Sequence, residues 1–134
     1  MTGAVVAPAS ASAGDQGKTT KITAQLNGAQ EVDRPGDTDG TGVGVLTINR
    51  KTGKICYRLS ANNIASATAA HIHEAVRGAA GPVVETLTAP TNGRSAGCLS
   101  NAELAKEIVA DPADYYLNVH NAEFKDGAIR GQLG

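Results

Sequence analysis

Short runs in which apolar and polar residues alternate recur along this chain, and that period of two points to strands rather than helices. In KITAQL (21–26) Ile22, Ala24 and Leu26 fall on one face and Thr23 and Gln25 on the other. GVGVLTI (42–48) and KICYRL (54–59) flank NRKTG, whose Gly53 is placed to take the positive φ of a hairpin turn. ATAAHIH (67–73), PVVETL (82–87), YYLNVH (115–120) and AIRGQL (128–133) continue the series. Between them, EVDRPGDTDGTG reads as a loop with nothing to pack, and EAVRGAAG (74–81), TNGRSAG (91–97) and NAEFKDG (121–127) read as further connections. One segment breaks the pattern. Ser100 followed by Glu103 forms a capping box ahead of Leu104, Ile108 and Val109, which predicts a short helix that Pro112 ends. Seven or more strands with one late helix predict an all-β fold, an antiparallel sandwich or barrel.

The 134 residues suit one domain. Aromatic residues are 3% of the chain, with no Trp, so the core must come from Val, Ile, Leu and Ala. A net charge of -1 lacks the clustered positive charge that nucleic-acid binding needs. Residues 1–13 are small and mostly apolar and end in Ala11-Ser12-Ala13, a small-x-small pattern suited to signal peptidase. Residues 1–20 therefore read as a signal-peptide remnant or a disordered arm ahead of a domain over 21–134. No run approaches the ~20 apolar residues of a membrane span. The expected compartment is the cell exterior, the cell surface or a periplasm, where Cys56 and Cys98 would form a disulfide. The competing role, one Cys as a soft metal ligand, has no CxxC and no adjacent His behind it.

The three histidines carry the chemistry. His71 and His73 are two apart on a strand and share a face, while Ala70 and Ile72 point to the core. In YYLNVH, Leu117 and Val119 form the core face, and Tyr116, Asn118 and His120 the opposite one. A His-x-His pair with a third His from a distant strand supplies three nitrogen ligands, which suits copper or zinc and leaves a position open. The bland alternative is three unrelated surface histidines. Arg130 lies on the same non-core side and would either attract an anion to the site or pair with Glu74 or Glu123. Asp33, Asp37 and Asp39 lack the spacing of a calcium loop, and beside glycines they read as turn formers. No phosphate loop, nucleophile elbow or zinc-protease helix is present.

LNGAQEV, GTGVGVLTI, TAAHIH, GAAGPVV, YYLNVH and GAIRGQL, in that order, resemble the segments of the CHRD (chordin-type) domain over about residues 22–133. Such domains occur as single modules in many bacterial secreted proteins, and the domain is itself similar to copper/zinc superoxide dismutase, an eight-stranded Greek-key barrel. That resemblance implies a superoxide dismutase-like fold in which His71, His73 and His120 hold copper and Arg130 stands near the position of an arginine that guides superoxide. No histidine is left over for a zinc subsite. The expected function is a secreted, non-catalytic module that binds one copper-like ion. Two alternatives are a copper-only superoxide dismutase-like enzyme and a purely structural or adhesive module facing an extracellular or cell-surface partner.

Overall fold

A computed structural model describes residues 18–32 and 34–134 of the chain. The signal-like segment over residues 1–13 and Asp33 lie outside them. Among the described residues eight strands form one antiparallel sheet: β1 (Thr19–Asn27), β2 (Thr41–Asn49), β3 (Lys54–Asn62), β4 (Ala67–Glu74), β5 (Val83–Leu87), β6 (Arg94–Ser100), β7 (Tyr115–Asn121) and β8 (Ile129–Gln132). Their order is β5-β4-β7-β8-β1-β2-β3-β6. β1 begins two residues before the alternation does, with Thr19 and Thr20 laddered to Asn49 and Ile48. The β2–β3 hairpin forms as expected, and Gly53 has φ +79°.

The sheet curls into a nearly closed barrel. Its two edges, β5 and β6, meet through side chains instead of a ladder. Ser95 Oγ donates to Thr88 O at 2.7 Å, Thr88 N donates to Tyr57 Oη at 3.0 Å, and Asn101 Nδ2 donates to Glu85 Oε2 at 3.2 Å. These bonds occupy groups that an open edge would offer to another chain. Around the wall β4, β5 and β6 follow one another while β7 returns beside β4, a Greek-key order. Leu46, Ile48, Ile55, Ile72, Leu117, Val119 and Ile129 fill the interior and are fully buried. Each contributes about 1.5–3 kcal/mol by leaving water.

Three expectations need correction. TNGRSAG is not all loop, because Arg94–Ser100 is a strand laddered to β3. Its small residues hide the pattern, and Gly97 is required there because a Cβ would come 2.6 Å from the Tyr57 hydroxyl oxygen. The helix α1 (Ala102–Ala110) is capped by Asn101, whose side chain accepts from Leu104 N at 3.0 Å, and not by Ser100, which β6 claims. Leu104, Ala105 and Ile108 are its buried face, with Val109 half-buried beside them. The segment after β1 does pack: Gly36 and Gly40 are buried, and Asp37 N donates to Ala128 O at 2.8 Å. Asp37 Oδ1 accepts from Asp39 N at 3.0 Å, the turn-forming role read from the sequence.

Cys56 and Cys98 sit directly opposite each other on β3 and β6 and form a disulfide. The bond ties an edge strand to the barrel wall.

Candidate metal centre

Two cross-strand rows run over β4, β7 and β8. In one His71 faces Asn118 and Asn118 faces Arg130, and in the other His73 faces Tyr116 and Tyr116 faces Gln132. His120 lies opposite Ala69, whose small side chain leaves the imidazole free to lean diagonally towards His71. The ring centroids of His71 and His120 are 4.9 Å apart, and those of His71 and His73 are 5.4 Å apart. Strand parity thus brings together the three histidines expected from the sequence. They face away from the barrel interior, yet the site is covered: His73 is only 9% exposed and Asn118 only 3%.

The cover is the loop over 75–82, and Arg130 builds it. Its guanidinium donates to Ala79 O at 2.8 Å, Val76 O at 3.1 Å and Gln132 Oε1 at 3.0 Å. Gln132 Nε2 adds bonds to Ala75 O and Ala113 O. Gly81 closes the loop against β4, where a Cβ would collide with the Glu74 carbonyl. The ion pair with Glu74 or Glu123 weighed for Arg130 does not form, because backbone carbonyls and Gln132 take its protons.

Proton placement decides what the cluster can hold. His73 Nδ1 lies 2.9 Å from Gly81 O, and His120 Nδ1 lies 2.8 Å from Lys125 O. A carbonyl only accepts, so both rings carry their proton on Nδ1 and turn a bare Nε2 inward. Asn118 Oδ1, a third acceptor, stands 2.9 Å from His73 Nε2 and 3.1 Å from His120 Nε2. His71 Nδ1, 3.1 Å from His120 Nε2, has one proton at most to share. Burial first, then neighbouring imidazoles, pushes the His71 pKa down; burial does the same for His73, partly offset by the bonds to Gly81 and Asn118. For His71 and His73 both shifts favour the neutral imidazole, the form that binds metals. More lone pairs than protons converge on one point, an arrangement suited to holding a cation. One ligand atom from each histidine lies within 4.8 Å of the others.

The model of one family, the CHRD domain, matches residues 22–133. The chain belongs to the CHRD domain family. No curated protein and no solved structure matches it. In this CHRD domain the matched span takes in all three histidines, both cysteines and Arg130.

Beside the histidines lies a cavity of about 230 Å³, lined by Glu31, His73, Tyr116, Asn118, His120 and Arg130 among others. Glu31 enters from the turn after β1. Burial pushes its pKa up to about 7, with Arg130 pulling it down and Asp126 adding to the rise. Its Oε2 is buried without a hydrogen-bond partner. Sequence reading of the CHRD domain missed Glu31, since a lone acid in a Gly-rich turn carries no signal. It placed Asn118 on the right face by parity but gave it no role. The Gly81 and Lys125 carbonyls that orient the imidazoles leave no mark in a sequence, because any residue has a carbonyl.

Proposed function

We propose that this CHRD domain is an exported, non-catalytic module that binds one copper ion through His71 Nδ1, His73 Nε2 and His120 Nε2. The observation that carries the reading is the proton count: two carbonyls hold the His73 and His120 protons on Nδ1 and aim bare nitrogens at a shared point. Three imidazoles with no thiolate suit copper and zinc among other ions, and copper(II) stands at the top of the affinity order for such ligands. The bound ion would supply positive charge, which the buried acceptors lack. Export is supported by the Cys56–Cys98 disulfide, a bond that persists in oxidising compartments.

The superoxide dismutase-like alternative asks Arg130 to attract an anion. Three of its hydrogen bonds go to Val76, Ala79 and Gln132, so the loop claims donors that an incoming anion would need. This weighs for the binding reading. Copper(II) titration of the purified protein, followed in the visible spectrum, should reach one ion per chain, and His120→Ala should abolish that endpoint. A wild-type chain that takes up no stoichiometric copper, or a His120→Ala chain that binds as well, overturns it.

A further inference from the structure

Three histidines supply three ligands, and a fourth position around the ion falls either to solvent or to the protein. Four donors at about 2.0–2.1 Å from one ion stand about 2.9 Å apart at adjacent corners of a square, the arrangement copper(II) favours, and about 3.3 Å apart at the corners of a tetrahedron. Asn118 Oδ1 lies 2.9 Å from His73 Nε2 and 3.1 Å from His120 Nε2, and His120 Nε2 lies 3.1 Å from His71 Nδ1. These three separations fall between the two values, and the ligand atoms of the three histidines all lie within 4.8 Å of one another. No proton stands between Asn118 Oδ1 and the two bare Nε2 atoms, so the inward oxygen faces lone pairs with nothing to bond. Register holds it there: Asn118 pairs with His71 on β4 and with Arg130 on β8, and it is almost fully buried.

We infer that Asn118 Oδ1 is the fourth ligand and closes the site into a neutral four-coordinate N3O set. The inference rests on the copper-binding reading and sharpens it, because closed sites hold structure while catalytic sites keep a position free. A closed site prevents a small anion from reaching the ion directly. Turning the amide to point its NH2 inward would donate to the bare nitrogens and make Asn118 a plug that competes with the ion. The two roles have opposite consequences when the side chain is removed.

The test compares wild type, Asn118→Ala, Asn118→Asp and His120→Ala. Copper(II) affinity is measured by chelator competition, azide is added as the probe of an open position, and thermal melts check folding. Wild type should bind one copper(II) and show no azide charge-transfer band. Asn118→Ala should bind about 10–100-fold more weakly, a loss of the size seen when groups around a metal are removed, and should develop the band. Asn118→Asp keeps an oxygen and adds a charge, so it should bind at least as tightly as wild type and stay silent to azide. That variant keeps the test decisive should Asn118→Ala not fold. An azide band in wild type, unchanged or tighter binding by Asn118→Ala, or weaker binding by Asn118→Asp overturns the fourth ligand while leaving the three histidines in place. Failure of wild type itself to bind copper overturns the underlying reading as well.

Discussion

The guanidinium carbon of Arg130 lies 3.4 Å from the centroid of the Tyr116 ring, and the His73 ring stacks on that tyrosine at 4.7 Å with the planes 2° apart. Arg130 therefore reaches a histidine of the metal centre by two routes. One is this stack across β8, β7 and β4. The other is the loop whose Val76 and Ala79 carbonyls it holds and whose Gly81 carbonyl fixes the His73 proton.

Removing Arg130 should loosen both. Arg130→Ala takes the guanidinium away from the Val76 and Ala79 carbonyls of the exposed loop and leaves the buried Gln132 oxygen without its donor, at about 1–3 kcal/mol for a buried acceptor left unsatisfied, with the lost packing on Tyr116 added. A loss of about 3 kcal/mol in chemical denaturation is expected, with weaker copper binding than wild type. Arg130→Lys should recover little, since an ammonium cannot span the same three acceptors in one plane. Wild-type stability in both variants would show that the loop holds itself.

Reduction of the disulfide tests the edge of the barrel. Cys56 and Cys98 are 42 residues apart, and a cross-link closing a loop of that size stabilises by about 4 kcal/mol in the chain-entropy model. The Cys56→Ala/Cys98→Ala double variant should melt about 10–20 °C lower than wild type, and β6 amides should exchange first. Equal melting temperatures would contradict this.

Glu31 predicts an unusual pH dependence for the metal-free chain. The folded protein keeps the Glu31 proton up to about pH 7, whereas the unfolded chain releases it near the ordinary value of 4.5. Between these limits the folded state binds more protons, so the Glu31 contribution makes stability fall as pH rises through that window. Glu31→Gln removes the titration. It should exceed wild type by about 1–3 kcal/mol above pH 7, the cost of a buried unsatisfied group, and match it at pH 4. A difference independent of pH would contradict the assignment.

Asn101 serves the helix and the barrel seam together, capping Leu104 N and bonding Glu85. Asn101→Ala should cost about 1–2 kcal/mol, the usual range for an N-cap. Asn101→Ser should restore the cap without the bond to Glu85, and denaturation of the pair separates the two roles.

Legibility from sequence followed side-chain period. Alternation in KITAQL, ATAAHIH and YYLNVH placed Leu26, Ile72 and Val119 in the core and His71, His73 and His120 on the other face, because parity is set by the strand itself. β6 was illegible, since Arg94, Ser95, Ala96 and Gly97 show no apolar face and the strand is defined by its ladder to β3 and by Tyr57 packing on Gly97. The helix cap shifted from Ser100 to Asn101 because the β3 ladder extends to Ser100. Arg130 was legible as a residue of the site face but not as a builder of its cover, which depends on where distant carbonyls come to rest.

The most direct measurement is the nitrogen chemical shift of each imidazole in 15N-labelled protein, first metal-free and then with one equivalent of zinc(II) as a diamagnetic stand-in for copper(II). The metal-free spectrum should show His73 and His120 protonated on Nδ1 with bare Nε2. One equivalent should then shift Nε2 of both, together with Nδ1 of His71, and a second equivalent should change nothing further. Three imidazoles left unshifted at one equivalent, or His73 and His120 protonated on Nε2 before metal is added, would contradict the metal centre.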